Sequence, residues 1–428
     1  MRSLWGGNIV AKPAFLFDLD MTLLDTSALQ DARKQQKWQF VAANLHLAKP
    51  YSFPNGPTVH EVPGQLKAMG HPVGIVTSSP RPYAKALLKR FQVPYDALVA
   101  GTEVPAKPNP DPIQKALKDL KVKPANAYYV GDAYEDFEAS YRAGVRSIGA
   151  GWNPEMADLW KTAPDIWLHY PRPLLDPSTL HTRGYLAEVI AAGHSATIHP
   201  GSVLQCGAPD RVALGRYFSS KDPRHAEDRL TQLILTLKED DAPAKLFGRA
   251  LASYLKFGTN TQFSHVTCVP PKPGKPRIRF AATLQQMNTY GKAHYSRTEN
   301  IVPDGLRTTK NVEGYKQANY DLREALINDA FASKIPSWAN GNVLLLDDVL
   351  TSGATSGECA RVLKASRAGN VHIVCLGADQ NPFVTHPCPE CLMGSLKRRT
   401  SVYGVFWSCS RYKKDGSGCR YKQNFAPQ

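Results

Sequence analysis

Between residues 13 and 170 short apolar runs alternate with stretches of helical periodicity, which restricts this part of the chain to an α/β architecture built on a parallel, doubly wound sheet. Ala14–Phe17, Pro72–Thr77, Ala97–Ala100, Ala127–Gly131 and Val145–Gly149 read as its strands. A proline-rich passage, Tyr170–Pro177, breaks the pattern and reads as the start of a linker, with one short helix near Tyr185–Ala192. A second α/β pattern begins near Gly201, with strands at Ser264–Val269, Val343–Asp347 and Val371–Gly377, and ends at Asp379–Pro387. A chain of 428 residues exceeds what one core sustains, so several domains are expected. The boundaries fall at 1–172, a linker at 173–205, 206–384 and a tail at 385–428.

Composition narrows the partners. A hydrophobic fraction of 43% with 21% charged residues is that of globular protein, and no run of about 18 apolar residues offers itself to a bilayer. A soluble protein with no membrane partner is expected. Met1–Lys12 lacks the apolar stretch of a secretory signal, which points to the cytoplasm. The net charge of +15 favours phosphorylated metabolites or nucleic acid. The tail from His386 contributes strongly, with eight Lys or Arg against Glu390 and Asp415.

The first chemical constellation is Phe15-Leu16-Phe17-Asp18-Leu19-Asp20-Met21-Thr22, an apolar strand running into two carboxylates and a hydroxyl at alternate positions. Alternation brings Asp18 and Asp20 to one side of the chain, where one can attack phosphorus and the other manage the proton of the leaving group. Two anions so close call for a cation, and Mg²⁺ suits oxygen ligands. Downstream, in order, stand Val76-Thr77-Ser78-Ser79, Lys107 in Ala106-Lys107-Pro108, and Val130-Gly131-Asp132 with Asp136. Together these resemble the four motifs of haloacid-dehalogenase (HAD) superfamily phosphatases, over about 160 residues. The resemblance implies Asp18 as nucleophile, Asp20 as acid and base, Thr77 as phosphate holder and Lys107 as charge neutraliser. It also implies Mg²⁺ held by Asp18, the Asp20 backbone carbonyl, Asp132 and Asp136. Only about 50 residues separate Thr22 from the second strand, with one helical stretch near Ala28–Leu45, so the cap over the site is expected to be small.

The second constellation is Val343-Leu344-Leu345-Leu346-Asp347-Asp348-Val349-Leu350-Thr351-Ser352-Gly353-Ala354-Thr355, a buried strand, two acids and a small-residue turn into a helix. Backbone amides and hydroxyls of Thr351, Ser352, Gly353, Ala354 and Thr355 can ring a phosphate, with Asp347 and Asp348 placed for ribose hydroxyls or Mg²⁺. The run resembles the phosphoribosyl pyrophosphate signature of type I phosphoribosyltransferases, and residues 210–380 resemble their ComF-like competence-protein branch. There Val266–Pro273 is similar to an early strand and loop in which Lys272 meets pyrophosphate, and Gln317–Phe331 to a helix preceding the signature.

The third constellation lies in the tail. Cys388 and Cys391, seventeen residues, then Cys409 and Cys419 supply four thiolates suited to tetrahedral Zn²⁺, with His386 as the alternative to Cys419. The pattern resembles the C-terminal zinc ribbons of type IA topoisomerases, from which the longer Cys409–Cys419 spacing departs. Tyr403, Phe406, Trp407 and Tyr412 interleave with Arg398, Arg399, Arg411 and Lys413, a mixture suited to single-stranded DNA or RNA. The remaining cysteines, Cys206, Cys268, Cys359 and Cys375, are scattered as core residues are.

The combined expectation is a Mg²⁺-dependent phosphatase fused to a phosphoribosyltransferase, acting in nucleotide or nucleic-acid metabolism. The competing expectation is a nucleic-acid-associated regulator or defence-type effector whose phosphoribosyl site binds a nucleotide without transfer.

Overall fold

The computed structural model describes residues 12–54, 56–101, 103–195, 198–272, 277–310 and 327–380, and in the tail 386–387, 390, 395–401, 404–409, 412–413, 416 and 418–424. The front domain begins with β1 (Ala14–Phe17), whose four residues are fully buried. A small insertion follows: the ribbon strands β2 (Leu24–Asp25) and β3 (Lys49–Pro50) with α1 (Gln30–Lys34) and α2 (Trp38–Ala43) between them. Then come α3 (Val62–Ala68), β4 (Val73–Thr77), α4 (Arg81–Arg90), β5 (Ala97–Ala100), α5 (Asp111–Leu120), β6 (Ala127–Gly131), α6 (Tyr134–Arg142), β7 (Arg146–Ala150) and β8 (Ile166–Leu168).

The six strands form one parallel sheet in the order β5-β4-β1-β6-β7-β8. Being covered on both faces, β1 must be apolar throughout: Phe15 and Phe17 enter one core layer, Ala14 and Leu16 the other. The chain runs from β1 outward to β4 and β5, then crosses back to β6 on the other side of β1. That reversal opens a crevice beyond the carboxyl ends of β1, β4 and β6, the place where such sheets hold ligands. In the insertion the expected single helical stretch is two short helices, because Gln36 between them takes a left-handed backbone, φ 55°.

The segment 173–205 is packed against both domains. Leu174 and Leu180 are buried in the front core, whereas Leu186, Ala187 and Ile190 of α7 (Leu186–Ala191) are buried in the rear one. The rear domain comprises β9 (Leu204–Gln205), β10 (Arg211–Ala213), β11 (Arg216–Phe218), α8 (Arg229–Leu237), α9 (Ala244–Ser253), β12 (His265–Cys268), α10 (Ala281–Tyr295), β13 (Leu306–Thr308), β14 (Phe331–Ser333), β15 (Val343–Leu350), α11 (Ala354–Ala365) and β16 (Val371–Gln380). Its main sheet runs β12-β15-β16-β10-β9, parallel except for β9, with β11 added to the far end of β16. β15 lies inside this sheet between β12 and β16, with Val343–Leu346 fully buried. Cys206, Cys268, Cys359 and Cys375 are all buried in this domain.

The two sheets meet through a polar joint. Arg216 Nη1 lies 3.1 Å from Asp165 beside β8, while Nη2 lies 2.9 Å from Glu188 of α7. Gln380 receives the Ala163 amide at 2.9 Å and donates to the Trp160 carbonyl at 3.0 Å. In the tail, β17 (His386–Pro387), β18 (Ser395–Ser401), β19 (Gly404–Cys409) and β20 (Lys422–Asn424) form an antiparallel sheet. No described helix is long and apolar enough to cross a membrane.

Candidate active site

At the carboxyl end of β1 the Asp18 amide donates to the Val130 carbonyl of β6 at 2.8 Å, which fixes the side chain over the crevice. Lys107 arrives from the loop before α5, its side chain only 6% exposed. Its Nζ donates to Asp18 Oδ1 at 2.7 Å, Asp136 Oδ1 at 2.5 Å and the Tyr129 hydroxyl at 2.9 Å. Asp136 stands in the first turn of α6 and its Oδ2 accepts the amides of Asp132 and Ala133, both at 3.1 Å. A Cβ on Gly131 would stand 2.6 Å from the Cβ of Asp136, so only glycine lets α6 approach β6 this closely. Asp132 is oriented from both sides: Thr22 Oγ1 donates to its Oδ1 at 2.7 Å and Asn153 Nδ2 to its Oδ2 at 3.1 Å. The Trp152 indole in turn donates to the Thr22 carbonyl at 2.9 Å.

One carboxylate oxygen from each of Asp18, Asp132 and Asp136 lies within 4.8 Å of the other two. Burial pushes Asp18 up to about 7, with Asp136 and Asp20 adding to the rise and Lys107 opposing it. Asp132 is raised well above the ordinary carboxylate range, first by burial and then by Asp136 and Asp18. Burial by itself would depress Lys107, but Asp136 and Asp18 outweigh it and hold the ammonium charged. Three gathered carboxylates, if all ionised, would outnumber the one ammonium, which adds to burial in making Asp18 and Asp132 hold their protons so strongly in the absence of another cation. The donors are all oxygen, which is the chemistry of a hard divalent cation such as Mg²⁺.

Asp20 points elsewhere. Its Oδ1 accepts from Thr26 Oγ1 at 3.0 Å, the Tyr83 hydroxyl at 2.7 Å and Arg33 Nη1 at 2.8 Å, and its Oδ2 from Ser79 Oγ at 2.6 Å. Its carboxylate is thus separate from the Asp18–Asp132–Asp136 group, so any part in holding a metal falls to its backbone carbonyl. Thr77 ends β4 and is buried, its hydroxyl accepting the Ser79 amide at 3.1 Å. Sequence reasoning brought Asp18, Asp20, Thr77, Lys107, Asp132 and Asp136 to this crevice but missed Tyr129, Asn153, Tyr83 and Arg33. Tyr129 had one signal, being one of two adjacent tyrosine hydroxyls in an otherwise apolar central strand; the others had none.

In the rear domain Asp347 and Asp348 lie towards the carboxyl end of β15. Burial, then Asp348, pushes Asp347 up to about 8, and its Oδ1 accepts the Asp348 amide at 2.8 Å. Asp348 is paired with Arg279, and Lys238 lies 3.7 Å from it; neither cation stood out in the sequence. Thr351–Gly353 form the turn and α11 starts at Ala354, with Gly353 left-handed at φ 78° and Thr355 in the first helical turn. Lys272 is exposed on the loop after β12. The helix expected before the signature falls mostly outside the described residues, as do Cys388 and Cys391. Of the other tail cysteines, Cys409 is buried and Cys419 partly so. Lys422 lies over the Tyr412 ring at 4.8 Å, so at least this aromatic is packed within the tail.

Residues 29–150 match the haloacid dehalogenase-like hydrolase family, a stretch that begins beyond Asp18. The pyrophosphatases PpaX of Bacillus thuringiensis (strain Al Hakam) and Bacillus cereus (strain Q1) are each 37% identical over 98 residues, 22% of this chain. The matched stretch spans 45% of their length. Among solved structures, a putative phosphoglycolate phosphatase from Lactobacillus plantarum aligns with 39% of this chain and 99% of its own at 19% identity and a TM-score of 0.32. CbbY from Rhodobacter sphaeroides, in complex with phosphate, aligns with 32% and 86% at 21% identity and a TM-score of 0.25.

Proposed function

We propose, on the premise that the front domain is a haloacid dehalogenase-like hydrolase domain, that it is a Mg²⁺-dependent phosphatase in which Asp18 takes the phosphoryl group from a phosphate monoester. The observation that carries this reading is the convergence of Asp18, Asp132 and Asp136 on one point with Lys107 bonded to two of them. Bound Mg²⁺ supplies charge neutralisation for the dianionic phosphate and its transition state. Asp18, Asp132, Asp136 and the Asp20 carbonyl are the groups to hold it. The Asp18 carboxylate attacks phosphorus while the ester P–O bond breaks, and Asp20 gives its proton to the departing oxygen. Thr77 and the amides after it hold the phosphoryl oxygens, and Lys107 stabilises the acyl phosphate. Asp20 then accepts a proton from water as that water attacks phosphorus, which frees phosphate and restores Asp18.

Cation binding is checked by melting temperature. Asp18 keeps its proton up to about 7 in the folded protein but loses it near 3.8, the ordinary value of an aspartate, when unfolded. The folded state therefore binds more protons between those values, and Asp18 subtracts stability as pH rises through that window. Mg²⁺ offsets this by pairing with the ionised group. The expected result is a larger Mg²⁺-induced rise in Tm at about pH 8 than at about pH 5. An equal rise at both would contradict it.

For the rear domain we infer a site for phosphoribosyl pyrophosphate, with Thr351–Thr355 around the 5′-phosphate, Asp347 and Asp348 on the ribose side and Lys272 towards pyrophosphate. Support comes from the adjacent acids Asp347, buried, and Asp348, partly buried, in the carboxyl-terminal half of β15, and from the left-handed Gly353 that opens α11. Asp347→Asn together with Asp348→Asn is expected to weaken binding of phosphoribosyl pyrophosphate by roughly 10–100-fold in calorimetry, the scale of losing charge-assisted hydrogen bonds. Pyrophosphate release from the unmodified protein supplied with a mixture of bases marks a transferase. Binding without release marks a nucleotide-sensing regulator. The tail is proposed as a Zn²⁺ ribbon held by Cys388, Cys391, Cys409 and Cys419, which brings single-stranded nucleic acid to the enzyme.

A further inference from the structure

α9 and α10 lie side by side over one face of the rear sheet. Phe247, Ala250 and Leu251 of the first and Leu284 and Met287 of the second enter one core layer with the sheet. A Cβ on Gly248 would stand 2.6 Å from that of Gln286, so the helices touch closely and their outer sides form one surface. That surface carries a row of rings. Phe257, just past α9, is 58% exposed. Its ring meets Tyr295 edge-on at 5.3 Å between centroids, Tyr295 meets Tyr290 at 5.7 Å, and Tyr290 lies 4.1 Å from His294. The hydroxyls of Tyr295 and Ser253, 3.1 Å apart, tie the row to α9.

Charge around the rings is one-sided. Residues 244–258 and 281–298 contain Lys245, Arg249, Lys256, Lys292 and Arg297, and no aspartate or glutamate. Arg297 is paired with Glu299, while Arg249 reaches over the Tyr290 ring, 6.0 Å from its centroid. Cations in the last turn of a helix answer its negative end, which accounts for Lys292 and His294 of α10. Lys245 has no such account: it stands in the first turn of α9, at the positive end, one turn before Arg249. Cations spaced along a row of rings match a polyanion that also carries flat apolar groups, which is the chemistry of single-stranded nucleic acid. A duplex keeps its bases stacked inside and gives such rings nothing to stack on. A lipid surface calls for several exposed apolar side chains, and among the described residues of these two segments Phe257 is the one large hydrophobic residue exposed. We propose that this face of α9 and α10 binds single-stranded DNA or RNA, with bases stacking on Phe257 and the neighbouring tyrosines and phosphates paired with Lys245, Arg249 and Lys256. The surface is separate from the tail, and the inference does not rest on a zinc ribbon.

The test titrates the full chain into fluorescein-labelled oligothymidine and oligouridine, with a duplex of equal length beside them, and follows anisotropy over a range of salt concentrations. The unmodified protein is expected to bind the single strands more tightly than the duplex. Phe257→Ala should weaken that binding by roughly 5–100-fold, the scale of losing one stacked base, and Phe257→Trp should retain it. Lys245→Gln, Arg249→Gln and Lys256→Gln together should reduce the slope of log affinity on log salt by about 2, from three lost phosphate contacts. Photocrosslinking with bromouracil oligonucleotides should mark the peptide holding Tyr254–Gly258 or that holding residues 290–295. Arg398→Gln with Arg399→Gln reports on the tail by itself, so failure of one surface is distinguishable from failure of the other. The inference is overturned if the unmodified protein binds no single strand, if the substitutions on α9 leave affinity and salt slope unchanged, or if every crosslink falls within 385–428. It is equally overturned if Phe257→Ala leaves oligonucleotide affinity intact but dissolves a dimer in sedimentation or abolishes binding to phosphatidylserine vesicles, since the face then meets a second copy or a membrane.

Discussion

Replacing Asp18 with Asn is expected to lower kcat for phosphate monoesters by about 10⁴-fold or more, the scale on which removal of a covalent nucleophile acts. The amide is nearly isosteric with the carboxylate but offers no anionic oxygen to attack phosphorus. Folding should survive the change. Asp18 is buried beside Asp132 and Asp136, and its ionised form is disfavoured by burial and by the charges of Asp136 and Asp20, with Lys107 opposing. Removing that charge relieves repulsion, while Lys107 keeps Asp136 at 2.5 Å and Tyr129 at 2.9 Å. The variant should therefore melt at the same temperature as the unmodified protein or above it. An inactive protein that is well folded separates loss of chemistry from loss of structure. Residual turnover within tenfold of the original would remove Asp18 from the reaction.

The second large effect falls on stability. Lys107→Met keeps the length of the side chain and removes its charge, leaving Asp18 and Asp136 facing one another without their shared cation. Breaking a buried ion pair by deleting one partner costs about 3–5 kcal/mol, far more than the roughly 0.5 kcal/mol typical of a surface lysine. Lys107 belongs to the first class because its side chain is 6% exposed and it contacts two carboxylates and a buried phenol. Urea unfolding without divalent cation is expected to show the full loss. Added Mg²⁺ should recover part of it, since the same oxygens then have another positive partner. A loss below about 1 kcal/mol would place the lysine outside the cluster.

The crevice was legible in the sequence because buried parallel strands leave an unambiguous mark. Ala14–Phe17 and Ala127–Gly131 are nearly uninterrupted apolar runs, so an acid following either must stand at a strand end, and strand ends share one edge of the sheet. The same logic expects the strand to stop at Asp347, whereas β15 runs on through both acids and pairs with β16 as far as Leu350. Arg33, Tyr83 and Asn153 left no such mark, since each reaches its partner across the fold: Asn153 bonds Asp132, and Tyr83 bonds Asp20, from 21 and 63 residues away in the chain. Local periodicity carries no information about those distances. The insertion misled for a different reason. Its apolar spacing suits one helix, but the left-handed Gln36 divides it and turns α1 so that Arg33 faces Asp20. The segment 173–205 looked like a spacer because its turns are short and proline-rich. Its buried leucines are spaced irregularly and are shared between two cores, a pattern no single-element period reveals.

The proposed phosphatase chemistry stands on transfer of phosphate to Asp18, which can be observed directly. The full chain with Mg²⁺ is mixed with a phosphate monoester that it turns over, quenched in acid within a single turnover, digested at low pH and analysed by mass spectrometry. The expected result is one phosphoryl group on the peptide spanning Phe15–Thr22, labile to base as an acyl phosphate is, and absent from Asp18→Asn. Turnover that proceeds with this peptide unmodified at every quench time, or a phosphoryl group on another residue, would contradict the role assigned to Asp18.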